Sequence, residues 1–521
     1  MLKHDATELH LGLRLPKTYN AAVELLSCGA GLPDKIAYVD EHGALSYREL
    51  RQNAVLLGSA LRCRGLQQED RVVIAMHDCV DWPVVFLGCL YAGLVAVPVN
   101  TLLTAREYDY ILADCRAKAL FLSAPLFPVF EPLLGKQPFL KHTIADRSAL
   151  RELLQHGDPA FAPAQTVGDE AGFWLYSSGS TGAPKGCVHA HQSLLSTAQL
   201  YGQQVLGITQ QDVFFSAAKL FFAYGLGNSL TFPLSVGATT VLMAEKPTPS
   251  AVFARLTKYR PTLFFGVPTL YASLLASADF PPPSDLHLRL CTSAGEALPA
   301  ELGRKWTKRT GVEVLDGIGS TELLHIFLSN RPKDVCWGSS GRPVPGYRVK
   351  VTDEHDQPVK PGEVGDLYVS GPSGALCYAH RRELSRRTFL GEWTRTGDKY
   401  SFSEDGVYTY AGRSDDLLKV SGIYVSPFEV EAALLTHPAT LEAAVVGMQD
   451  ENELTKAKAF VVLQPGRTGD EALKTELLHT VKALLAPYKV PRWIEFLPEL
   501  PKTATGKIQR FKLRGTAAKP F

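Results

Sequence analysis

The segment Tyr176–Gly186, YSSGSTGAPKG, combines the residue types that a phosphate-binding loop needs. Glycine lets the backbone adopt positive φ and lets a ligand approach main-chain N–H groups closely. Successive N–H groups in such a turn form a concave site for an anion. The charge of Lys185 and four hydroxyl groups therefore suit a polyphosphate, although a polar surface loop is the alternative. The hydroxyl groups belong to Ser177, Ser178, Ser180 and Thr181.

This loop departs from the phosphate loop of motor proteins and GTPases, G-x-x-x-x-G-K-[ST]. Ala183 and Pro184 stand between Gly182 and Lys185, and Gly186 occupies the place of the serine or threonine. The departure disfavours an NTPase of either class. The apolar run AGFWL that precedes the loop predicts a strand leading into it.

Bulk composition limits the class of protein. A chain of 521 residues is long enough for two to four domains, and its net charge of +1 gives no reason to expect nucleic acid or an anionic membrane as a partner. Nine cysteines without a C-x-x-C pair indicate reduced thiols in a cytoplasmic protein. The N-terminal MLKHDATELHLG lacks the apolar centre of a signal peptide, so secretion is not expected.

One uncharged stretch, 82–99, is long enough to cross a bilayer. Gly93 and Pro98 interrupt it. We therefore predict a buried helix as far as about Gly93, followed by the short strand LVAVPV, and no membrane span.

The order of patterns predicts an α/β protein with two domains. Strand-like and helix-like segments alternate over the first 340 residues, which is typical of mainly parallel sheets wrapped by helices. Antiparallel hairpins or a small distorted β-barrel are predicted at about 343–411. A compact α+β unit follows. We place the large domain at 1–413 and the small domain at 414–521.

Five motifs in one order resemble those of the adenylate-forming enzymes, which include acyl- and aryl-CoA synthetases, luciferases and adenylation domains of peptide synthetases. The motifs are SSGSTGAPKG, DGIGSTE (316–322), WTRTGD (393–398), YAGRSDDLLKVSGIYVSPFEVE (410–431) and PKTATGKIQR (501–510). KLFFAYGLGNSLTFPLSVGATTVL and DGIGSTELLHIFLSN are similar to the aryl-CoA ligase branch that includes benzoate and 4-hydroxybenzoate ligases. The resemblance implies a mobile small domain. It also implies two steps: an aromatic carboxylate attacks ATP to give an acyl-adenylate and pyrophosphate, and coenzyme A then displaces AMP.

The resemblance also implies roles for individual residues. Lys507, Thr181 and Glu322 are expected to be catalytic, with Glu322 binding Mg²⁺, an ion that prefers oxygen ligands. As an alternative, Glu322 stabilises a helix N-terminus. Asp398 is expected at the ribose, or as a simple turn residue. The expected ATP/AMP site comprises Ser177, Ser178, Gly179, Ser180, Thr181, Gly182, Lys185, Gly295, Glu296, Ala297, Asp316, Gly317, Ile318, Gly319, Ser320, Thr321, Asp398, Arg413 and Lys507.

Further implied sites concern coenzyme A, the hinge and the acid. Asp415 is the expected hinge between the domains. Coenzyme A is expected at Lys419, Ser421 and Gly422, and the acid pocket at Phe222, Ala223, Tyr224, Ala294, Gly319, His325 and Ile326. Each small pocket residue could equally be ordinary core. His325 could bind a ring hydroxyl or merely fill space. Many relatives have tyrosine where this chain has Ile318, so aliphatic packing is expected against the adenine.

Benzoate is the leading substrate in this interpretation. The alternatives are a ligase for 4-hydroxybenzoate or another substituted benzoate, a stand-alone enzyme that loads an aryl acid onto a carrier protein, and a non-enzymatic nucleotide-binding regulator. The presence together of the phosphate-loop, ribose and C-terminal lysine motifs argues against the regulator. A monomer or a homodimer is expected.

Overall fold

The structure is a computed structural model, and it describes residues 7–8, 14–15, 17–177, 184–413, 418–420, 423–450, 455–502 and 508–517. The strands are, in chain order, β1 (Thr7–Glu8), β2 (Arg14–Leu15), β3 (Ile36–Val39), β4 (Ala44–Ser46), β5 (Arg71–Ala75), β6 (Val95–Pro98), β7 (Ala119–Leu122), β8 (His142–Ile144), β9 (Ala171–Ser177), β10 (Lys185–Ala190), β11 (Val213–Ser216), β12 (Thr239–Val241), β13 (Leu263–Gly266), β14 (Leu290–Ser293), β15 (Val314–Gly319), β16 (Ile326–Ser329), β17 (Arg342–Pro343), β18 (Arg348–Thr352), β19 (Gly365–Ser370), β20 (Cys377–Tyr378), β21 (Phe389–Leu390), β22 (Trp393–Phe402), β23 (Tyr408–Arg413), β24 (Leu418–Val420), β25 (Ile423–Val425), β26 (Thr440–Gln449), β27 (Thr455–Leu463) and β28 (Trp493–Phe496).

Helices connect these strands. The α-helices are α1 (Ala21–Cys28), α2 (Tyr47–Cys63), α3 (Asp81–Tyr91), α4 (Ala105–Asp114), α5 (Phe127–Leu134), α6 (Arg147–Gln155), α7 (His191–Thr197), α8 (Ala223–Leu226), α9 (Phe232–Val236), α10 (Pro249–Tyr259), α11 (Pro268–Ala276), α12 (Ala300–Thr310), α13 (Arg382–Thr388), α14 (Pro427–Leu435), α15 (Glu471–Leu484) and α16 (Arg510–Ala517). The 3₁₀ turn Thr321–Leu323, one of several in the protein, contains Glu322. Ser46 and Thr104 each begin a helix with a reciprocal capping box, which satisfies otherwise unpaired N–H groups.

Two large sheets form the first part of the chain. One has the order β20-β10-β9-β6-β5-β7-β8, and the other has the order β17-β16-β15-β14-β13-β11-β12-β3-β4. In the first sheet, neighbouring strands are parallel from β9 through β6, β5 and β7 to β8, and β10 and β20 pair in antiparallel fashion. In the second sheet, pairing is parallel through the centre and antiparallel towards the edges. The predicted α/β class with mainly parallel sheets is confirmed.

The stretch predicted to be barrel-like contains an antiparallel half-barrel sheet. Its strands have the order β18-β19-β22-β21, with β23 also paired to β22. The C-terminal part contains the hairpin β24-β25 and a sheet in which β27 lies between β26 and β28. Val430, Val445 and Leu477 lie in a cluster of buried side chains formed within this last part of the chain.

The uncharged stretch 82–99 is buried in the protein. Trp82 and Phe86 on α3 have no exposed surface, and β6 is buried along its whole length. The stretch is therefore a core helix followed by a central strand, as predicted. Within the described parts of the chain, no helix is both long and apolar enough to cross a membrane. All nine cysteines are free thiols.

Candidate active site

A cleft of about 540 Å³ opens where β14, β15 and β10 face the half-barrel sheet. Every described member of the expected nucleotide site lines it. These residues are Ser177, Lys185, Gly295, Glu296, Ala297, Asp316, Gly317, Ile318, Gly319, Ser320, Thr321, Asp398 and Arg413, and Glu322 joins them. Segments that are far apart in sequence thus meet in one place, as the ordered motifs require.

Some expected residues lie outside the described part of the chain. They are Ser178, Gly179, Ser180, Thr181, Gly182, Asp415, Ser421, Gly422 and Lys507. The backbone of Lys419 belongs to β24. Ser177 and Lys185, which lie near the two ends of the phosphate-loop motif, are described and form a cross-strand pair between β9 and β10. The two ends of the loop are therefore fixed next to each other at the cleft.

Lys185 and Glu322 form an ion pair inside the cleft. Lys185 Nζ lies 3.1 Å from Glu322 Oε1, and the two side chains are 20% and 16% exposed. Tyr378 completes a triangle: its hydroxyl donates to Glu322 Oε1 at 2.6 Å and accepts from Lys185 Nζ at 2.8 Å. Burial alone would raise the pKa of Glu322, but Lys185 and Tyr378 outweigh it and lower that pKa. Glu322 is therefore an ionised carboxylate.

Strand β10 also fixes the turn that carries Glu322. Lys185, Cys187 and His189 alternate along β10, so they point to one face. His189 Nε2 donates to the carbonyl oxygen of Thr321 at 2.8 Å, and Cys187 Sγ lies 3.8 Å from the same oxygen. Burial lowers the pKa of His189 to about 4, so the ring is neutral at physiological pH. One strand thus holds both the lysine and the segment bearing its acidic partner.

Asp398 and Arg413 face each other across β22 and β23. Their side chains form an ion pair at 3.1 Å, in which Asp398 is almost fully buried and Arg413 is half exposed. Asp398 raises the pKa of Arg413, so the guanidinium keeps its charge. A buried carboxylate at the wall of a cleft, held by one cation, can accept hydroxyl donors from a ligand.

Asp316 and Glu296 lie on the other side of the cleft. Asp316 Oδ2 accepts the backbone N–H of Leu298 at 3.2 Å, and burial raises the pKa of this carboxyl well above its usual range. Glu296 Oε1 accepts the backbone N–H of Ile508 at 2.8 Å. The carboxylate expected to line the adenine slot therefore also contacts the C-terminal segment.

The expected acid pocket lies beside this cleft, in the core. Of its seven residues only Gly319 is among the described residues that line the cleft. A Cβ atom on Gly319 would lie 2.5 Å from the carbonyl oxygen of His325, so the approach of the two backbones requires glycine. Ala294 and Ile326 are buried in one hydrophobic cluster with Leu323. Phe222 and Ala223 begin the short helix α8.

His325 and Tyr224 pack together in this core, with ring centroids 5.5 Å apart. His325 Nε2 lies 3.2 Å from both the carbonyl oxygen of Tyr224 and Oδ1 of Asn228. Because both partners are acceptors, Nε2 carries the proton. Burial lowers the pKa of His325 to about 3, so Nδ1 bears a lone pair, and Nδ1 has no partner among the described residues.

Sequence reasoning missed two residues of these networks. Tyr378 lies in an ordinary stretch, GALCYAHRRELS, and only its pairing with Cys187 in the first sheet brings it to Lys185. Asn228 could have been found, because an amide in the apolar run FFAYGLGNSLTFPL needs a hydrogen-bond partner when buried. It is fully buried, its Oδ1 accepts from His325, and its Nδ2 donates to Ser216 Oγ at 3.4 Å.

Glu322 is the candidate Mg²⁺ ligand in this cleft. The described residues contain no group of three or more His, Cys, Asp or Glu side chains that could hold a metal ion. Mg²⁺ needs no such group, because one carboxylate and phosphate oxygens with water suffice. An ionised Glu322 that lines the cleft beside the ends of the phosphate loop fits this need.

Comparison with known sequences agrees with the geometry. The sequence pattern described as "AMP-binding enzyme" matches residues 27–379, and that of the "AMP-binding enzyme C-terminal domain" matches residues 429–507. The chain belongs to the AMP-binding enzyme family. The first match alone covers more than half of the chain, and it contains the phosphate-loop motif and the DGIGSTE motif.

Relatives within the AMP-binding enzyme family are similar over almost the full length. The chain is 56% identical to a benzoate–CoA ligase of Thauera aromatica, over 96% of this chain and 97% of the relative. It is 46% identical to a 4-hydroxybenzoate–CoA/benzoate–CoA ligase of Rhodopseudomonas palustris, over 96% and 94%. A crystallised benzoate CoA ligase from Burkholderia xenovorans LB400 superposes with a TM-score of 0.91 at 52% identity, over 95% of this chain and 100% of that one.

Proposed function

We propose that this chain is an ATP-dependent, AMP-forming benzoate–CoA ligase. Benzoate attacks the α-phosphate of ATP, pyrophosphate leaves, and the thiol of coenzyme A then displaces AMP to give the thioester. The observation that carries the proposal is the 56% identity, over nearly the whole of both chains, to the Thauera aromatica benzoate–CoA ligase. The cleft supports it, because it brings together cationic and acidic groups suited to a nucleotide.

We assign the following roles to the residues of the nucleotide site. Lys185 and the phosphate loop bind the β- and γ-phosphates, and Asp398 with Arg413 binds the ribose. The main chain of residues 295–297 and the side chain of Ile318 line the adenine, where the aliphatic side chain supplies apolar contact. Thr181 and Lys507 assist the transfer, since developing charge on phosphate oxygens needs fixed donors and cations. Mg²⁺ at Glu322 would neutralise charge on the phosphate oxygens.

The proposed acid site is the group of core residues around Tyr224 and His325. Its members are Phe222, Ala223, Tyr224, Ala294, Gly319, His325 and Ile326. Aromatic and aliphatic walls with few polar groups suit a benzoate ring. Two of the members, Ala223 and Ala294, have small side chains, which suits a flat ring.

Release of pyrophosphate and of AMP tests this function. Purified protein is mixed with ATP, Mg²⁺ and either benzoate or phenylacetate, with and without coenzyme A. We expect benzoate to give about one equivalent of pyrophosphate per site without coenzyme A, and continuous AMP release and thioester formation with it. Phenylacetate, which carries one extra methylene, serves as the matched control acid. Absence of benzoate-dependent pyrophosphate release would refute the proposal.

A second candidate is a ligase that also accepts benzoates with a hydrogen-bond donor on the ring. It is favoured by His325 Nδ1, a buried acceptor without a partner among the described residues, and by the 46% identical relative from Rhodopseudomonas palustris. The value of kcat/KM for 4-hydroxybenzoate against benzoate decides it. An enzyme that loads a carrier protein would instead release AMP only when that carrier, and not coenzyme A, is supplied.

We also propose the domain arrangement and setting of this enzyme. The domains are 1–413 and 414–521, joined at the hinge Asp415, with coenzyme A approaching Lys419, Ser421 and Gly422. Limited proteolysis that yields a fragment ending near residue 413 would support the boundary. Nine free thiols favour a reducing cytoplasm. Size-exclusion chromatography with light scattering would distinguish a monomer from a homodimer.

A further inference from the structure

Glu296 connects the rim of the cleft to the C-terminal segment. Glu296 follows β14 and lines the cleft, and Ile508 also lines the cleft. The backbone N–H of Ile508 donates to Glu296 Oε1 at 2.8 Å. Ile508 directly follows Lys507 in the sequence. A side chain expected at the adenine is therefore bonded to the neighbour of the proposed catalytic lysine.

The ends of the segment that contains Lys507 are joined to each other. Lys502 and Ile508 form an isolated antiparallel bridge, and the N–H of Gln509 donates to the carbonyl oxygen of Pro501 at 2.7 Å. Residues 501–502 are therefore fixed to residues 508–509, so an anchor on either pair also holds the other.

Anchors on the C-terminal part of the chain hold both ends as well. Lys502 Nζ donates to Glu442 Oε1 at 2.6 Å. The guanidinium of Arg510 makes two hydrogen bonds of 2.8 Å to Glu431 and lies 4.4 Å from the centroid of Phe428. These partners belong to α14 and β26. Glu296 lies more than one hundred residues earlier, so its bond joins this unit to the sheet that forms the cleft.

We propose that Glu296 is a positioning residue for the first half-reaction, and that it acts through the backbone of Ile508 rather than by recognising adenine. The inference rests on the proposed function. Glu296 takes no part in making the carboxylate–phosphorus bond or in breaking the α–β phosphoanhydride bond. It keeps the segment bearing Lys507 at the cleft while that exchange occurs. The second half-reaction, in which the thiol of coenzyme A displaces AMP, does not need the contact.

Two variants of Glu296 test whether its side chain must accept the hydrogen bond from Ile508. Glu296→Ala removes the acceptor, whereas Glu296→Gln keeps a carbonyl oxygen at the same reach. We expect Glu296→Ala to slow single-turnover pyrophosphate release about tenfold, near the lower end of what a hydrogen bond to a charged group contributes. Glu296→Gln should remain within about threefold of the wild-type rate, and the KM for ATP should stay within about twofold in both variants.

Two further measurements separate positioning from general damage. Thioester formation from preformed benzoyl-adenylate and coenzyme A should be unchanged in both variants. Hydrogen–deuterium exchange at the amide of Ile508 should accelerate in Glu296→Ala and not in Glu296→Gln. Glu301→Ala is the matched control: it removes a carboxylate on α12 that pairs with the exposed Arg304 at 3.8 Å, and it should change neither readout.

The outcomes distinguish this inference from the proposed function. If wild-type protein releases no pyrophosphate with benzoate, the proposed function fails, while the exchange measurement still tests the contact. If wild-type protein is active, three results would overturn the inference: pyrophosphate release by Glu296→Ala at the wild-type rate, equal loss in both half-reactions, or a raised KM for ATP with unchanged kcat.

Discussion

The triangle of Lys185, Glu322 and Tyr378 predicts that Tyr378→Phe raises the requirement for Mg²⁺. The substitution removes the hydroxyl that donates to Glu322 Oε1 at 2.6 Å and keeps the ring, which packs 5.2 Å from Phe389. Glu322 then keeps Lys185 as its partner but loses the donor that fixes its orientation. If Lys185 moves to the phosphates of ATP, as proposed above, the carboxylate has no remaining partner from this triangle.

The expected magnitude follows from that lost bond. A hydrogen bond to a charged group contributes about 1.5–3 kcal/mol. Each 1.4 kcal/mol corresponds to about a factor of ten in an equilibrium constant. Because the side chain of Glu322 is only 16% exposed, water replaces the lost donor poorly. We therefore expect the Mg²⁺ concentration for half-maximal pyrophosphate release to rise at least about tenfold.

The assay is pyrophosphate release at fixed ATP and benzoate over a range of Mg²⁺ concentrations. Tyr368→Phe is the matched control, because it also removes a hydroxyl that donates to a carboxylate, Asp356 Oδ1 at 3.0 Å, on the half-barrel sheet. The control should leave the Mg²⁺ dependence unchanged. An unchanged Mg²⁺ dependence in Tyr378→Phe, with a Tm several degrees lower, would mean that the hydroxyl serves only stability.

Three other predictions concern histidine, ribose and lysine. His191 accepts the N–H of Ala21, and burial lowers the pKa of His191 to about 4. The contribution of this group to the wild-type unfolding free energy should therefore fall by about 1.4 kcal/mol per pH unit as the pH drops from about 6.5 towards 4. His191→Gln should reduce that pH dependence by about one proton in urea titrations at pH 7.5, 6 and 5, and equal slopes in the two proteins would contradict the prediction. Asp398→Ala should raise the KM for ATP at least about tenfold, because it removes a buried hydrogen-bond acceptor and the ion pair with Arg413. Isothermal titration with AMP should show the same loss of affinity. Lys507→Ala should nearly abolish adenylation but spare thioester formation from benzoyl-adenylate, a division that equal loss of both half-reactions, measured separately, would disprove.

The motifs predicted which residues line the cleft because the residues of each motif are neighbours in the sequence. Residues 316–322 form the end of one strand and the following turn, so their order alone brings them to one edge of a parallel sheet. The core helix α3 was also predictable, since Gly93 ends it with positive φ. Such features need only neighbouring residues for their explanation.

Contacts between distant segments could not be predicted in this way. Tyr378 reaches Lys185 because β20 pairs with β10, and no pattern in either segment specifies that pairing. The bond from Ile508 to Glu296 uses a backbone amide, which leaves no trace in residue type. The partner of His325 depends on the π-helical turn Gly227–Thr231, which places Asn228 against the histidine ring.

The pairing of Ser177 with Lys185 has a consequence for the evolution and engineering of the phosphate loop. Since the two strands already hold the loop's ends together, lengthening the seven intervening residues to nine would cost only about 0.2 kcal/mol of loop-closure free energy. Folding therefore sets almost no limit on the number of residues in this loop. If the loop binds the triphosphate, as proposed above, the dimensions of that group set the limit, so an insertion there should yield a protein of normal stability that no longer uses ATP.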